Sequence, residues 1–245
     1  MSRPVTIVTG GGRGIGAAVC ARLATDGHDV VIGYRADDGA AASVAEKVFA
    51  LGGRALTIAM DTSAEADVER LFDAAATELG PVTGLVNNAG VTGKLGTLAD
   101  TSTEDLRRVL DVNVLGYLLC ARRAARDMAG RGGAIVNISS AAATLGSPGE
   151  YVHYAASKAA TDAMTVGLAK ELAAEGIRVN GVAPGTVHTG IHADMGDPDR
   201  PNRVASRIPL GRAGQPEEIA GAVSWLLSPD ASYTTGTTIR ISGGL

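Results

Sequence analysis

Tyr154 and Lys158 stand four positions apart, in a segment whose apolar residues predict a helix over residues 152–174. Residues four apart project from the same face of a helix, so the phenol and the ammonium would be neighbours. The pKa of a free tyrosine is about 10, and lowering it by about three units would require roughly 4 kcal/mol of stabilisation from the lysine. Such a pair could transfer protons at neutral pH, but it also recurs by chance on helix surfaces. Its chemistry therefore depends on the surrounding motifs.

A glycine-rich run, TGGGRGIG at residues 9–16, lies where a predicted first strand turns into a predicted first helix. Glycines at that position allow the backbone to approach a pyrophosphate, whose negative charge the helix N-terminus stabilises. The alternative is an ordinary flexible turn, but the position between strand and helix favours a phosphate site. The residues expected to contact a dinucleotide are Gly10, Gly12, Arg13, Gly14, Ile15 and Gly16.

The residues after the predicted second strand indicate which dinucleotide is preferred. A carboxylate at that strand end binds the adenosine ribose of NAD, whereas a nearby arginine accommodates the 2′-phosphate of NADP. Here the strand ends at Tyr34 and Arg35 follows, with Arg13 as a second guanidinium on the same side. Because guanidiniums bind phosphate oxygens through paired hydrogen bonds, we expect NADP(H). NAD(H) is the less favoured alternative, in which Asp37 or Asp38 would reach the ribose.

Strand-like and helix-like segments alternate along the chain as far as about residue 185. The strand-like segments are continuously apolar, as strands buried in a parallel sheet are. Regular alternation predicts right-handed crossovers and helices on both faces of the sheet. We therefore expect an α/β fold, a single Rossmann-type doubly wound domain over residues 1–245 with a parallel sheet of roughly seven strands. The predicted strands are 5–9, 28–34, 54–59, 84–87, 134–139, 177–183 and 237–241, and the predicted helices are 14–26, 40–51, 64–79, 104–128, 152–174 and 216–228.

Residues 186–212 interrupt this alternation with glycines and prolines among polar side chains. A long irregular segment inside a compact domain is usually a lid or a binding loop. We expect this segment to form a substrate lid and to line the substrate pocket together with residues 93–97.

Several separated motifs, in the same order, resemble those of the short-chain dehydrogenase/reductase family, and the resemblance runs over nearly the whole chain. Besides the glycine-rich run they are Asn87-Asn88-Ala89-Gly90, Asn113 within DVNVLG, Ile138-Ser139-Ser140, Tyr154-Ala-Ala-Ser-Lys158 and Pro184-Gly185. The resemblance implies an oxidoreductase that moves a hydride between a nicotinamide and a carbonyl or secondary alcohol. It also implies a homotetramer.

The resemblance implies a role for each matching residue. Tyr154 would exchange a proton with the substrate oxygen, and Lys158 would lower the pKa of the tyrosine and hold the nicotinamide ribose. Ser140 would bind the substrate oxygen; Ser139 is the alternative, because Ser140 lies one residue farther from the tyrosine than is usual in the family. Asn113 would anchor a water that connects the lysine to solvent. The other expected cofactor contacts are Asp61 near the adenine, Asn87, Ala89 and Gly90 along the groove, and Pro184, Gly185 and Thr189 at the nicotinamide carboxamide.

The substrate is less clearly indicated than the reaction. A ketone or 3-oxoacyl reductase is the leading hypothesis, and a sugar or polyol dehydrogenase using NAD(P)+ is the alternative. A function of a different class, sensing of NADP(H) or a scaffold role without turnover, would be expected to lack Tyr154, Lys158 or Ser140. All three are present.

Composition argues against several other classes of protein. A net charge of −4 makes a nucleic-acid partner an unfavoured prediction, because phosphate backbones require basic surfaces. No signal-peptide core and no apolar run of ~18 residues is present, so we expect a cytoplasmic protein without a membrane partner. Cys20 and Cys120 match no zinc or redox spacing and are expected in the core. His188 and His192 have the spacing of helical metal ligands, but without a third ligand we expect no metal site.

The predicted long helix 104–128 carries several arginines. We expect them to form a solvated face, with docking of an acidic carrier protein as the alternative. They are Arg107, Arg108, Arg122, Arg123 and Arg126.

Overall fold

A computed structural model describes residues 3–245 of the protein. Its centre is a parallel sheet with the strand order β3-β2-β1-β4-β5-β6-β7, so the predicted Rossmann-type arrangement is confirmed. Each predicted strand is present, with small differences at the ends because strand ends depend on pairing partners. The strands are β1 (Val5–Thr9), β2 (Asp29–Tyr34), β3 (Ala55–Ala59), β4 (Val82–Asn87), β5 (Gly133–Ile138), β6 (Ile177–Pro184) and β7 (Thr238–Ile241).

Helices cover both faces of the sheet, as its apolar strands require. On one face α1, α2 and α10 pack through buried Val, Ile and Leu side chains, and on the other face α3, α5 and α7 do the same. Cys20 lies in the first of these cores and Cys120 in the second, as expected. The helices are α1 (Gly14–Thr25), α2 (Asp38–Ala50), α3 (Glu65–Glu78), α4 (Thr103–Leu110), α5 (Gly116–Met128), α6 (Ala142–Leu145), α7 (Val152–Leu172), α8 (Ile191–Asp194), α9 (Arg200–Arg203) and α10 (Pro216–Leu227).

The prediction of one uninterrupted helix over residues 104–128 is wrong. A π-helical turn, Asp111–Leu115, separates α4 from α5 and contains Asn113. The extra residue in such a turn rotates the following side chains, and π turns are frequent at functional sites. At this turn the Asn113 side chain accepts a hydrogen bond from the Val91 N–H and donates one to the Ser157 hydroxyl. The apolar pattern of the helix does not encode these contacts.

The segment predicted to be irregular, residues 186–212, contains the short helices α8 and α9. Its second half is anchored by a small apolar cluster of Val204, Ile208 and Ala213, against which the C-terminal Leu245 packs. We keep the name lid for residues 186–212.

Two of the arginines of α5, Arg122 and Arg123, pair with neighbouring carboxylates rather than being fully solvated, whereas Arg126 is exposed. Arg123 is 14% exposed and pairs with Glu69 and Asp73 of α3 and with Asp127 of its own helix, while Arg122 pairs with Glu65. These pairs join α3 to α5 across one face of the sheet. In the part of the chain that the structure describes, no helix has the length and apolar character needed to cross a membrane.

Candidate active site

A cleft of about 910 Å³ opens at the carboxyl ends of the strands, a volume that suits a small-molecule ligand. It begins at β1 and its two neighbours β2 and β4, where the strand order changes direction and where ligands bind in open α/β sheets. One end is lined by Tyr34, Arg35 and Asp61, and the other by Ser140 and Tyr154. The cleft therefore joins the predicted dinucleotide end of the site to the predicted catalytic end.

The glycine-rich run forms the floor of the cleft and leaves room for a phosphate. Gly10 and Gly14 have positive φ angles of 64° and 53°, which favour glycine. A Cβ on Gly10 would lie 2.9 Å from the Cα of Ala89, so the two loops touch at this point. Among the described residues no side chain caps the start of α1, so its first N–H groups can bind an anion. Together with Gly12 and Ile15, which also line the cleft, this backbone fits a dinucleotide pyrophosphate.

Two residues expected to contact the cofactor, Gly16 and Asn87, do not line the cleft. Gly16 is buried, and a Cβ there would overlap the carbonyl oxygen of Gly10, so Gly16 allows close packing instead of lining the cleft. Asn87 is fully buried and its amide donates to the Tyr117 carbonyl at 3.3 Å and to the Asn137 side chain at 3.0 Å. The strand ends in the core at that residue, so Asn87 ties β4 to β5 and α5. The next residue, Asn88, lines the cleft.

Both predicted phosphate-binding arginines are exposed and pair with carboxylates. Arg35 lies 3.3 Å from Asp61, and Arg13 lies 2.5 Å from Asp194 in the lid. Although burial opposes it, hydrogen bonds from Ser63, with Arg35 nearby, lower the pKa of Asp61. The arrangement places two exposed cations at the dinucleotide end of the cleft.

The two rival acids at this end have local partners. Asp37 accepts a hydrogen bond from the Ala40 N–H at 2.9 Å as the N-cap of α2. Burial and a hydrogen bond with Asp38 raise the pKa of Tyr34, so the Asp38 carboxylate interacts with that phenol. Neither acid is positioned by the strand end itself.

The two serines after β5 have different surroundings. Ser139 is buried and its hydroxyl donates to the Lys158 carbonyl at 3.2 Å. Ser140 lines the cleft, accepts from the Ala142 N–H at 3.1 Å, and interacts with the hydroxyl of Tyr154. Ser140 is therefore the serine that can share a substrate oxygen with Tyr154.

The expected lowering of the Tyr154 pKa by Lys158 is not found. Burial raises the pKa of Tyr154 to about 12, although the hydrogen bond with Ser140 opposes this rise. Burial lowers the pKa of Lys158 to about 7. The Lys158 Nζ lies 5.8 Å from the Tyr154 ring centroid but 4.8 Å from that of Tyr117, and it donates to the Tyr117 hydroxyl. The ammonium is thus held toward the protein interior.

Asn113 holds α7 and the loop after β4 together. Its Nδ2 donates to the Val91 carbonyl at 2.8 Å and to the Ser157 hydroxyl at 3.0 Å, and its Oδ1 accepts from the Val91 N–H at 2.9 Å. Both side-chain donors are used in this way. A water anchored by Asn113 would therefore need the backbone carbonyl or the remaining Oδ1 lone pair.

The remaining predicted contacts surround the middle of the cleft. Ala89, Gly90, Pro184 and Gly185 all line it. A Cβ on Gly90 would lie 3.6 Å from the Lys158 Nζ, so this glycine keeps the approach to the lysine open. A Cβ on Gly14 would lie 3.2 Å from the Thr189 Cγ2, which places Thr189 beside the glycine-rich run.

Three residues of the site were missed by sequence reasoning. Asn88 donates to the carbonyls of Thr9 and Gly10 and so fastens the glycine-rich run. Its place in the Asn-Asn-Ala-Gly motif was a usable signal. Tyr117, four residues after Asn113, contacts Lys158, and Arg200 of the lid bonds to the loop before Tyr154. Nothing in the spacing of Arg200 indicates that contact.

Comparison with known proteins agrees with this geometry. The chain matches the family described as Enoyl-(Acyl carrier protein) reductase over residues 10–245. The Escherichia coli (strain K12) protein named Uncharacterized oxidoreductase YgfF is 48% identical over 244 residues, which cover 98% of this chain and 99% of that protein.

Solved structures are similar over almost the whole length. A short-chain type dehydrogenase/reductase from Mycobacterium marinum has a TM-score of 0.93 at 36% identity, with 99% of this chain and 95% of that chain covered. A short chain dehydrogenase from Burkholderia cenocepacia J2315, in complex with NADP, has a TM-score of 0.90 at 37% identity, with 99% and 97% covered. The chain therefore belongs to the short-chain dehydrogenase/reductase family and is an oxidoreductase.

Proposed function

We propose that this oxidoreductase uses NADP(H) to reduce the carbonyl group of a ketone or a 3-oxoacyl compound to a secondary alcohol. The observation that carries the proposal is the position of the Tyr154 phenol beside the Ser140 hydroxyl in the cleft, where both groups can reach one substrate oxygen. A tyrosine whose pKa is raised to about 12 holds its proton at neutral pH. Its hydroxyl therefore carries the proton that reduction of a carbonyl group must deliver to the oxygen.

The catalytic residues divide the work on the substrate oxygen. A dinucleotide held along the glycine-rich run would supply the hydride for the carbonyl carbon. Ser140 donates a hydrogen bond to the carbonyl oxygen, and Tyr154 transfers its hydroxyl proton to the same oxygen as negative charge develops there. When Lys158 is protonated, its ammonium, 5.8 Å from the Tyr154 ring centroid, gives the phenolate that remains a weak electrostatic stabilisation. The proton is then restored through Lys158, whose pKa of about 7 allows it to give and take a proton near neutrality.

Replacing Tyr154 by phenylalanine tests this assignment. Tyr154→Phe removes the transferable proton and should lower kcat for NADPH oxidation by roughly 10²- to 10⁴-fold. Binding of NADPH, followed by fluorescence, should be retained because the ring is kept. Tyr233→Phe, at a fully exposed tyrosine, is the matched control and should behave as the wild type. Near-normal turnover by Tyr154→Phe would refute the mechanism.

The NADP(H) preference is supported by Arg35 and Arg13 and by the local partners of Asp37 and Asp38. We expect a lower KM for NADPH than for NADH. Arg35→Met should raise the KM for NADPH far more than the KM for NADH, because only NADPH carries the 2′-phosphate. A lower KM for NADH in the wild type would overturn this part of the proposal.

Substrate class and assembly are open to direct measurement. Two assays separate the proposed reductase from a sugar or polyol dehydrogenase: NADPH oxidation with ketones and 3-oxoacyl thioesters, and NAD(P)+ reduction with sugars and polyols. A sugar or polyol dehydrogenase would be active only in the second assay. Exposed Leu110, Leu115 and Leu118 along α4 and α5 support the homotetramer that the family resemblance implies. A monomeric sedimentation coefficient would reject it. The cytoplasmic location stays a prediction.

A further inference from the structure

Tyr117 lies in the first turn of α5, directly after the π-helical turn that carries Asn113. Its side chain is fully buried, so its hydroxyl must find its partners within the protein. A buried phenol beside a buried lysine needs an explanation, because a phenylalanine would fill almost the same volume without a polar group.

The Tyr117 hydroxyl, the Lys158 ammonium and the Ile138 carbonyl form a closed triangle. Lys158 Nζ donates to the Tyr117 hydroxyl at 3.2 Å and to the Ile138 carbonyl at 2.7 Å, and the Tyr117 hydroxyl donates to the same carbonyl at 3.2 Å. Two of the three ammonium N–H groups are thereby engaged. Ile138 is the last residue of β5, so the triangle ties the lysine to the strand end that precedes Ser140.

The two partners of Lys158 differ in what they can do when the lysine loses its proton. A carbonyl oxygen only accepts hydrogen bonds, so Ile138 can offer nothing to the lone pair of a neutral amine. A hydroxyl both donates and accepts, and it can rotate. The Tyr117 hydroxyl can therefore accept from the ammonium and can turn from the Ile138 carbonyl to donate to the neutral amine.

We propose that Tyr117 is a positioning residue for Lys158, whose hydroxyl holds Nζ in place in both protonation states while the lysine exchanges its proton. Only one part of this proposal, the role of Lys158 in relaying a proton, depends on the proposed function. The position of the Lys158 side chain can be tested without measuring turnover. In the ammonium state the hydrogen bond to Tyr117 is charge-assisted, so its loss should disfavour the charged form more than the neutral one.

The decisive measurement is the pKa of Lys158 in the presence and absence of the Tyr117 hydroxyl. Lysine-selective carbon-13 labelling at Cε gives a small spectrum, because the lysines of the chain are Lys47, Lys94, Lys158 and Lys170, and Lys158→Met identifies the relevant signal. Tyr117→Phe should lower the pKa of Lys158 by about half a unit or more. Tyr233→Phe should leave it unchanged. An unchanged or higher value in a folded Tyr117→Phe protein would overturn the proposal.

A wild-type measurement covers the case in which Tyr117→Phe does not fold. The Lys158 Hε protons should show nuclear Overhauser contacts to the Tyr117 ring, since Nζ lies 4.8 Å from its centroid. If those contacts are missing, Lys158 does not lie against the Tyr117 ring and the proposal is wrong. Neither measurement requires turnover, so a failure of the proposed reductase activity would be seen separately.

Kinetics give a third test, which a purely structural role would not satisfy. Tyr117→Phe should lower kcat about tenfold in the wild-type background and have no further effect in a Lys158→Met background. The pH profile of kcat should shift in Tyr117→Phe as the lysine pKa does. Equal losses in both backgrounds would mean that Tyr117 only packs the core.

Discussion

Two ion pairs of very different character connect the lid to the two ends of the cleft. Near its start, Asp194 of α8 pairs with Arg13 of the glycine-rich run, and the two side chains are 52% and 65% exposed. Farther along, Arg200 of α9 pairs with Glu150, and the two side chains are 7% and 30% exposed. The first pair joins the lid to the dinucleotide end of the cleft, and the second joins it to the catalytic end.

The Arg200 contact is a multipoint attachment. Its guanidinium donates to both Glu150 carboxylate oxygens, at 3.0 and 2.5 Å, and to the Tyr151 hydroxyl at 2.9 Å, and it lies 5.2 Å from the Tyr151 ring centroid. The Tyr151 ring meets Tyr154 edge to face at 5.3 Å. The lid is thus connected to Tyr154 through a single intervening ring.

Burial decides how much each pair contributes. An exposed pair is screened by water and contributes little, whereas removing one partner of a buried pair leaves a charge without compensation. Although burial disfavours its charge, hydrogen bonds to Glu150 raise the pKa of Arg200, and the hydrogen bond from Arg200 lowers the pKa of Glu150. We infer that the Arg200–Glu150 pair is the firm attachment of the lid, and that the part of the lid around Asp194 opens more readily.

The largest effect on lid stability is expected from Arg200→Met, which keeps the length of the side chain and removes its charge. Because Glu150 keeps some contact with water, the free energy of lid opening should fall by roughly 2–3 kcal/mol. Hydrogen exchange of the Val204 amide, which donates to the Arg200 carbonyl, should accelerate roughly 30- to 150-fold.

Arg203 supplies the control for that experiment. It lies in the same short helix, is 48% exposed and pairs with Asp197. Arg203→Met should change the exchange rate less than about threefold, the size expected for an exposed pair. Equal effects of Arg200→Met and Arg203→Met would contradict the assignment of Arg200 as the firm attachment.

An intermediate effect is expected from pH, acting through Glu150. Its pKa in the folded protein lies below the ordinary value of 4.5, so the pair stabilises the lid above that pH and loses this contribution as the pH falls through the lowered pKa. The difference in lid-opening free energy between wild type and Glu150→Gln should therefore be greatest at neutral pH. It should shrink as the pH falls below 4.5. Hydrogen exchange of both proteins at several pH values measures this difference, and a constant difference would exclude the carboxylate as its source.

The two attachments of the lid also differ in how well the sequence predicts them. The glycine-rich run is a local feature, since strand, turn and helix succeed one another within a few residues, and its position and its exposed Arg13 could be predicted. The Arg200–Glu150 contact joins residues 50 positions apart, and it depends on how the lid folds over the cleft. No spacing or periodicity encodes such a fold.

The local sequence pattern likewise predicted the helices and strands better than it predicted the surroundings of Lys158. Tyr154 and Lys158 were predicted to share a helix face, and they do, since α7 carries both. Where the ammonium points is decided by Tyr117 and Ile138, which come from other elements. The π-helical turn before Tyr117 depends in turn on the hydrogen bonds of Asn113 to Val91 and Ser157. These are tertiary contacts that helical periodicity cannot reveal.

The smallest effect on lid opening is expected from Asp194→Asn, which changes the exposed ion pair. The variant removes the pairing with Arg13 and should change the lid-opening free energy by less than about 0.5 kcal/mol, with the remaining effect weakened further by salt. Exchange of the Met195 amide, which donates to the Ile191 carbonyl at 3.2 Å, reports on α8. A loss as large as that in Arg200→Met would mean that Arg13 holds the lid firmly. A guanidinium bound in that way would be less able to turn toward a cofactor phosphate, so the same result would weaken the expected role of Arg13 in NADP(H) binding.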